Sequence, residues 1–116
     1  MKQMKFKSKA HQDLFNVLVE KAGQGGDPEY SAAIYVLSAI GKEVSKYVLS
    51  GEIKFPALFK AAEVWSSGEK ALLRLAATLF NAGTWPVAVD DVFYHLDGEN
   101  QLVAVRGLAI RYMGLL

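Results

Sequence analysis

Apolar residues along this chain recur every three or four positions, the period of a helix with one buried face. Leu14, Phe15, Leu18, Val19 and Ala22 form a first stripe opposite Gln12, Asn16 and Glu20, which predicts a helix over residues 8–22. Gly23, Gln24, Gly25 and Gly26 end it, because glycine takes left-handed caps without steric cost. This glycine-rich stretch follows a helix and lacks the lysine and hydroxyl of a phosphate loop, so it reads as a connector. Asp27 and Pro28 then supply a cap and a first helical residue. Tyr30, Ala33, Ile34, Leu37, Ile40, Val44 and Tyr47 continue at helical spacing. Gly41 lies inside that stripe, at a cost of about 1 kcal/mol relative to alanine. The expectation is a kink there and a second helical piece over 42–49.

In the next segment Ile53 and Phe55 alternate with Glu52 and Lys54, which allows a brief extended stretch. A short helix over 57–65 would turn Leu58, Phe59, Ala62 and Trp65 inward. Ser66 and Glu69 then make a capping box, each able to satisfy the other's backbone donor. The helix that follows, about 67–82, is apolar round most of its circumference, with a narrow polar strip of Lys70, Arg74, Thr78 and Asn81. Such a helix belongs in the middle of a bundle. Trp85-Pro86 forbids its continuation. A short helix over 87–96 would bury Val89, Val92, Phe93 and Leu96. A last helix over 99–113 carries the stripe Leu102, Val105, Ala109, Tyr112 and Met113. The fold class expected is therefore all-α, a compact bundle of five to six helices around the central helix at 67–82.

Composition narrows the picture. A chain of 116 residues and 12.7 kDa makes one domain and buries about two-thirds of its unfolded surface. It has no cysteine, so disulfides, thiolate metal sites and thiol catalysis are excluded. No apolar run approaches the ~20 residues that span a bilayer, so no membrane association is expected and a cytoplasmic location is the default. The formal charge of +1 creates no strong global field, but it is unevenly placed. Lys2, Lys5, Lys7 and Lys9 lie in the first nine residues, which hold no acid. Residues 1–9 thus read as a flexible basic arm, and 10–116 as a single helical domain. Such an arm could contact nucleic-acid phosphates. At the other end, Leu115 and Leu116 either fold back on the core or bury in a second copy, as the tail of a homodimer.

Candidate chemistry is sparse. Asp91 and His95 stand four apart on the expected helix, with Asp90 and Asp97 nearby, and could hold two corners of a metal site in a small metal-dependent enzyme. A third ligand is not apparent, and no nucleophile elbow, Walker loop or metalloprotease motif is present. No cofactor is implied and the chain does not read as an enzyme. Arg74 must reach water or a carboxylate, since an unpaired buried guanidinium costs several kcal/mol. It would either form a salt bridge with Asp90, Asp91 or Glu99, fixing helix register, or make a basic spot with Lys70 for an acidic partner. Trp65 and Trp85 flank the same helix, as core staples or as interface anchors.

The run Ser67-Gly68-Glu69-Lys70-Ala71-Leu72-Leu73-Arg74-Leu75-Ala76, followed by Leu79-Phe80-Asn81-Ala82-Gly83, resembles the most distinctive motif of a family of small uncharacterised proteins. These occur largely in Firmicutes and their phages and mobile elements. Further similar pieces are Tyr35-Val36-Leu37-Ser38, Ile53-Lys54-Phe55-Pro56, Asp90-Asp91-Val92-Phe93 and Ile110-Arg111-Tyr112, so the resemblance covers most of the chain from His11 onward. It departs at Gly41-Lys42-Glu43-Val44, where the family has an Asn/Asp-rich turn, and in the apolar ending after Tyr112. The resemblance implies a phage or mobile-element setting and supplies no catalytic residue. The expected function is that of an accessory protein that binds another protein, such as a host or defence factor, or itself. The alternatives are nucleic-acid association through the arm and metal-dependent catalysis at Asp91 and His95.

Overall fold

The computed structural model describes residues 4–24 and 26–114. In chain order these form α1 (Lys9–Ala22), α2 (Pro28–Leu37), the strands β1 (Val48–Leu49) and β2 (Glu52–Ile53), α3 (Phe55–Ala61), α4 (Ser67–Phe80), α5 (Val89–Phe93) and α6 (Gly98–Met113). Single 3₁₀ turns occupy Ser45–Tyr47 and Ala62–Val64. The protein is predominantly α-helical, as the apolar periodicity predicts. Its accessible surface of 6315 Å² is close to the ~6,200 Å² that area scaling gives for this mass.

The long helices begin where a side chain can accept from their first unpaired amides. Ser8 caps α1 at His11, Asp27 caps α2 at Glu29 and Tyr30, and Asp97 caps α6 at Asn100. At α4 the capping box closes in full: Glu69 N–H donates to Ser66 Oγ, and Ser66 N–H to Glu69 Oε1 at 2.9 Å. That backbone donor holds the Glu69 carboxyl below its ordinary range. Gly23 and Gly114 end α1 and α6 with φ of 70° and 68°, the left-handed geometry open to glycine.

The most deeply buried element is α2. Residues 31–40 are buried without interruption, and α2 packs against α1, α4 and α6. The helix expected at the centre, α4, is its principal neighbour and buries seven positions from Ala71 to Leu79. α6 closes the third side with Val103, Ala104, Gly107 and Ile110. Gly107 permits the close approach: a Cβ there would stand 2.7 Å from Val36 Cγ2 and 3.1 Å from Leu79 Cδ1.

Three expectations about the elements are corrected. The helix of 42–49 does not form. α2 stops at Leu37, Gly41 turns the chain at φ 84°, and residues 48–53 make a hairpin pairing Val48 with Ile53 and Leu49 with Glu52. Val44 and Val48 remain buried, so the apolar positions are used but not as one helix. α5 is only five residues long, ends at Phe93 and leaves Val89 exposed. The last helix turns its stripe the other way: Leu102, Val105, Tyr112 and Met113 face outward, while Val103, Ala104, Gly107 and Ile110 enter the core.

Candidate functional site

The polar strip of α4 divides into two halves with different fates. In its C-terminal half, Thr78 Oγ1 donates to the carbonyl of Trp85, and Asn81 Oδ1 accepts from Thr84 N at 3.1 Å. The loop after α4 folds back over that half and consumes its hydrogen bonds. In its N-terminal half, Lys70 and Arg74 stay half-buried and make no ion pair or hydrogen bond among the described residues. The helix period places them together on one face.

These two cations border a groove of about 180 Å³ between α4 and the segment formed by α3 and its following 3₁₀ turn. Phe59, Ala62 and Leu73 provide an apolar lining, and Glu63 stands among the polar groups. The lining is held from behind. Trp85 packs on Phe59 with ring centroids 5.0 Å apart, and Phe55 lies 6.5 Å from Phe59 and 5.5 Å from Phe80. An apolar trough edged by two cations and one carboxylate suits a bulky apolar side chain with a neighbouring acid. Its volume is well under the ~300–1,000 Å³ of small-molecule pockets.

The salt bridges proposed for Arg74 are not made. Asp90, Asp91 and Glu99 are exposed and none pairs with it. The arginine that ties helices together is Arg111, whose Nε donates to Leu79 O at 3.1 Å and whose Nη2 lies 3.3 Å from Glu29 Oε2. One side chain on α6 thus braces α2 and α4. Trp65 and Trp85 are both half-buried and pack against the core.

The other candidates are separated by the fold. His95 lies beyond the end of α5, so it does not share a helical face with Asp91. Among the described residues no group of three or more His, Cys, Asp or Glu could hold a metal ion. Lys7 is engaged internally, donating to Ala39 O and Asn100 Oδ1, both at 3.0 Å. Lys9 pairs with Asp13 at 2.6 Å, while Lys5 is exposed. Lys2, Leu115 and Leu116 lie outside the described residues. From Met4 onward the supposed flexible arm is docked, with Met4 and Phe6 packed on the core.

What holds that segment is His11, which carries no signal in the apolar pattern. It is 2% exposed. Its Nε2–H donates to Tyr35 O at 2.7 Å and its Nδ1 accepts from Lys7 N at 3.0 Å, an arrangement open only to the neutral ring. Phe6 stands edge-on to His11 at 5.0 Å, and the Tyr35 hydroxyl donates to Lys5 O at 2.6 Å. Burial drives the His11 pKa below its ordinary value, with Lys7 and Arg106 adding to the shift against the Tyr35 carbonyl. A wider depression of about 430 Å³ adjoins this cluster, but its Lys7 and His11 are committed to these internal bonds.

No described helix is long and apolar enough to cross a membrane. Comparison with protein-family models, with curated proteins and with solved structures finds no match to the chain.

Proposed function

We propose that the protein is a binding module that takes an acidic segment of another protein in the groove between α3 and α4. The observation that carries this reading is Arg74: a half-buried guanidinium, beside Lys70 and over an apolar lining, without an internal partner. Arginine left this way contributes most when a ligand carboxylate completes it, because charge-assisted hydrogen bonds gain strength where water is partly excluded. Phe59 and Leu73 would take the apolar side chain beside that carboxylate, and Glu63 would reject a second acid at its end of the groove. The groove's small volume favours a protruding side chain over a small-molecule substrate. The motif resemblance at residues 67–83 supports a phage or mobile-element setting, with a host or defence factor as partner. The arm-based reading loses ground because Lys7 and Lys9 have internal partners.

The test is selection from a displayed peptide library on the full chain, counter-selected on Arg74→Glu. Enriched peptides should pair an Asp or Glu with a bulky apolar residue and bind Arg74→Glu at least ten-fold more weakly. Their amide shift changes in NMR should centre on Phe59, Leu73 and Arg74. Peptides that bind both proteins equally, or that perturb another face, would refute the assignment.

A further inference from the structure

Eight large hydrophobic side chains are exposed among the described residues, and four of them, Leu102, Val105, Tyr112 and Met113, belong to α6. At 100° per residue these four and the small Ala109 fall within about 100° of arc, opposite the face that packs on α2 and α4. We propose that this outward stripe is the contact face of a homodimer, with α6 packed antiparallel against α6 of a second copy.

Three observations single out a second copy as the occupant. The first is register. The spacing 102, 105, 109, 112 is self-complementary under a two-fold axis at the level of residue 107: Leu102 then opposes Tyr112 of the other copy, and Val105 opposes Ala109. The small Ala109 lets the helices approach near the axis. The second is charge. Between Glu99 and Arg111 the only charged residue of α6 is Arg106. It is half-buried and falls outside the arc of the stripe on the helix wheel. Arg111 is turned to Leu79 O and Glu29, with its guanidinium 4.8 Å from the Tyr112 ring. No cation therefore confronts its own image across the axis, which a self-associating face requires.

The third is area. Leu102, Val105, Tyr112 and Met113 are 52%, 51%, 61% and 71% exposed. They present on the order of 400 Å² together, about half of the ~800 Å² per partner of a standard interface. Gln101, Leu108 and Ala109 extend the face towards that size, at the small end of stable dimers. Reversible association in the micromolar range is the expected strength. The face is separate from the Arg74 groove, so a dimer would leave that groove open.

Sedimentation velocity of the full chain, from low-micromolar to millimolar concentration, tests this. The wild type should pass from monomer to dimer mass across that range. Val105→Glu places a carboxylate on the stripe and should weaken association at least ten-fold with unchanged helical circular dichroism. Val64→Glu, at a valine that is 91% exposed elsewhere, should behave as wild type. Leu102→Gln is the milder variant should Val105→Glu fold poorly. Because the chain has no cysteine, Val105→Cys and Ala109→Cys can be mixed under oxidation, and the mixed disulfide should outnumber either homodimer. A wild type that stays monomeric throughout, or equal weakening by Val64→Glu and Val105→Glu, would overturn the proposal. Predominant Val105→Cys homodimers would overturn the antiparallel arrangement.

Discussion

α2 and α6 both carry apolar residues on more than one side, and they end in opposite situations. From Ser31 onward α2 is enclosed on all sides, so its apolar positions from Ala32 to Leu37 are fully buried. α6 lies at the edge of the bundle and can bury only one of its two apolar faces. The face it buries carries Val103, Ala104, Gly107 and Ile110, while the larger Tyr112 and Met113 stay outside. Small residues win the inner position because helix axes must come close to α2 and α4 there. Packing geometry, and not the sum of hydrophobicity, decides which face turns in.

The comparison can be broken first at α2. Leu37→Ala removes a fully buried side chain from the enclosed helix and should lower stability by about 2–5 kcal/mol in urea denaturation. Next is the inner face of α6. Gly107→Ala should destabilise by about 1–3 kcal/mol, since stiff Val36 must yield to the new methyl, although alanine alone favours a helix. A stabilised Gly107→Ala protein would show that the close approach does not set the orientation of α6.

The two arginines sharpen the same contrast. Arg111→Gln loses the link from α6 to Leu79 O and Glu29 and should cost about 1 kcal/mol, the Glu29 pair being partly solvent-screened. Arg74→Gln, with no such link, should stay within about 0.5 kcal/mol of wild type in the same denaturation series.

Acid should act on α2 through its Tyr35 carbonyl. The neutral His11 ring has a folded pKa below its unfolded value near 6.5, so the unfolded chain binds more protons as pH falls below that value. Stability is therefore complete above about pH 6.5 and declines as the solution is acidified through the window beneath it. The proton would arrive on Nδ1, where Lys7 N–H now donates, so the segment of Phe6 and Lys7 should loosen with it. Urea midpoints measured from pH 7 to 5 should fall in the wild type, and His11→Gln should flatten that slope. The smallest effect belongs to the outer face of α6: Leu102→Gln should leave monomer stability within about 0.5 kcal/mol in dilute solution.

Much of this was legible in the chain before its fold was known. Local features set helix existence and starts, because a cap needs only residues within one turn: Asp27 and the Ser66–Glu69 box act as their spacing predicts. Lys70 and Arg74 were legible as a pair for the same reason. Their lack of an internal partner was not, because Asp90 and Asp91 are brought near or kept away only by the path of the loop after α4. The end of α2 escaped prediction because Gly41 can serve a helix kink or a left-handed turn, and the hairpin of 48–53 selects the turn. His11 escaped because its partners are a tyrosine carbonyl 24 residues away and an amide before its own helix.

The sequence by itself determined that this protein is helical, where its main helices start, and that no cysteine chemistry is open to it. Tertiary structure decided which helix is central, which face of α6 meets water and which arginine ties the helices together. Those outcomes depend on how closely whole helices approach one another, and that distance is set jointly by side chains far apart in the chain.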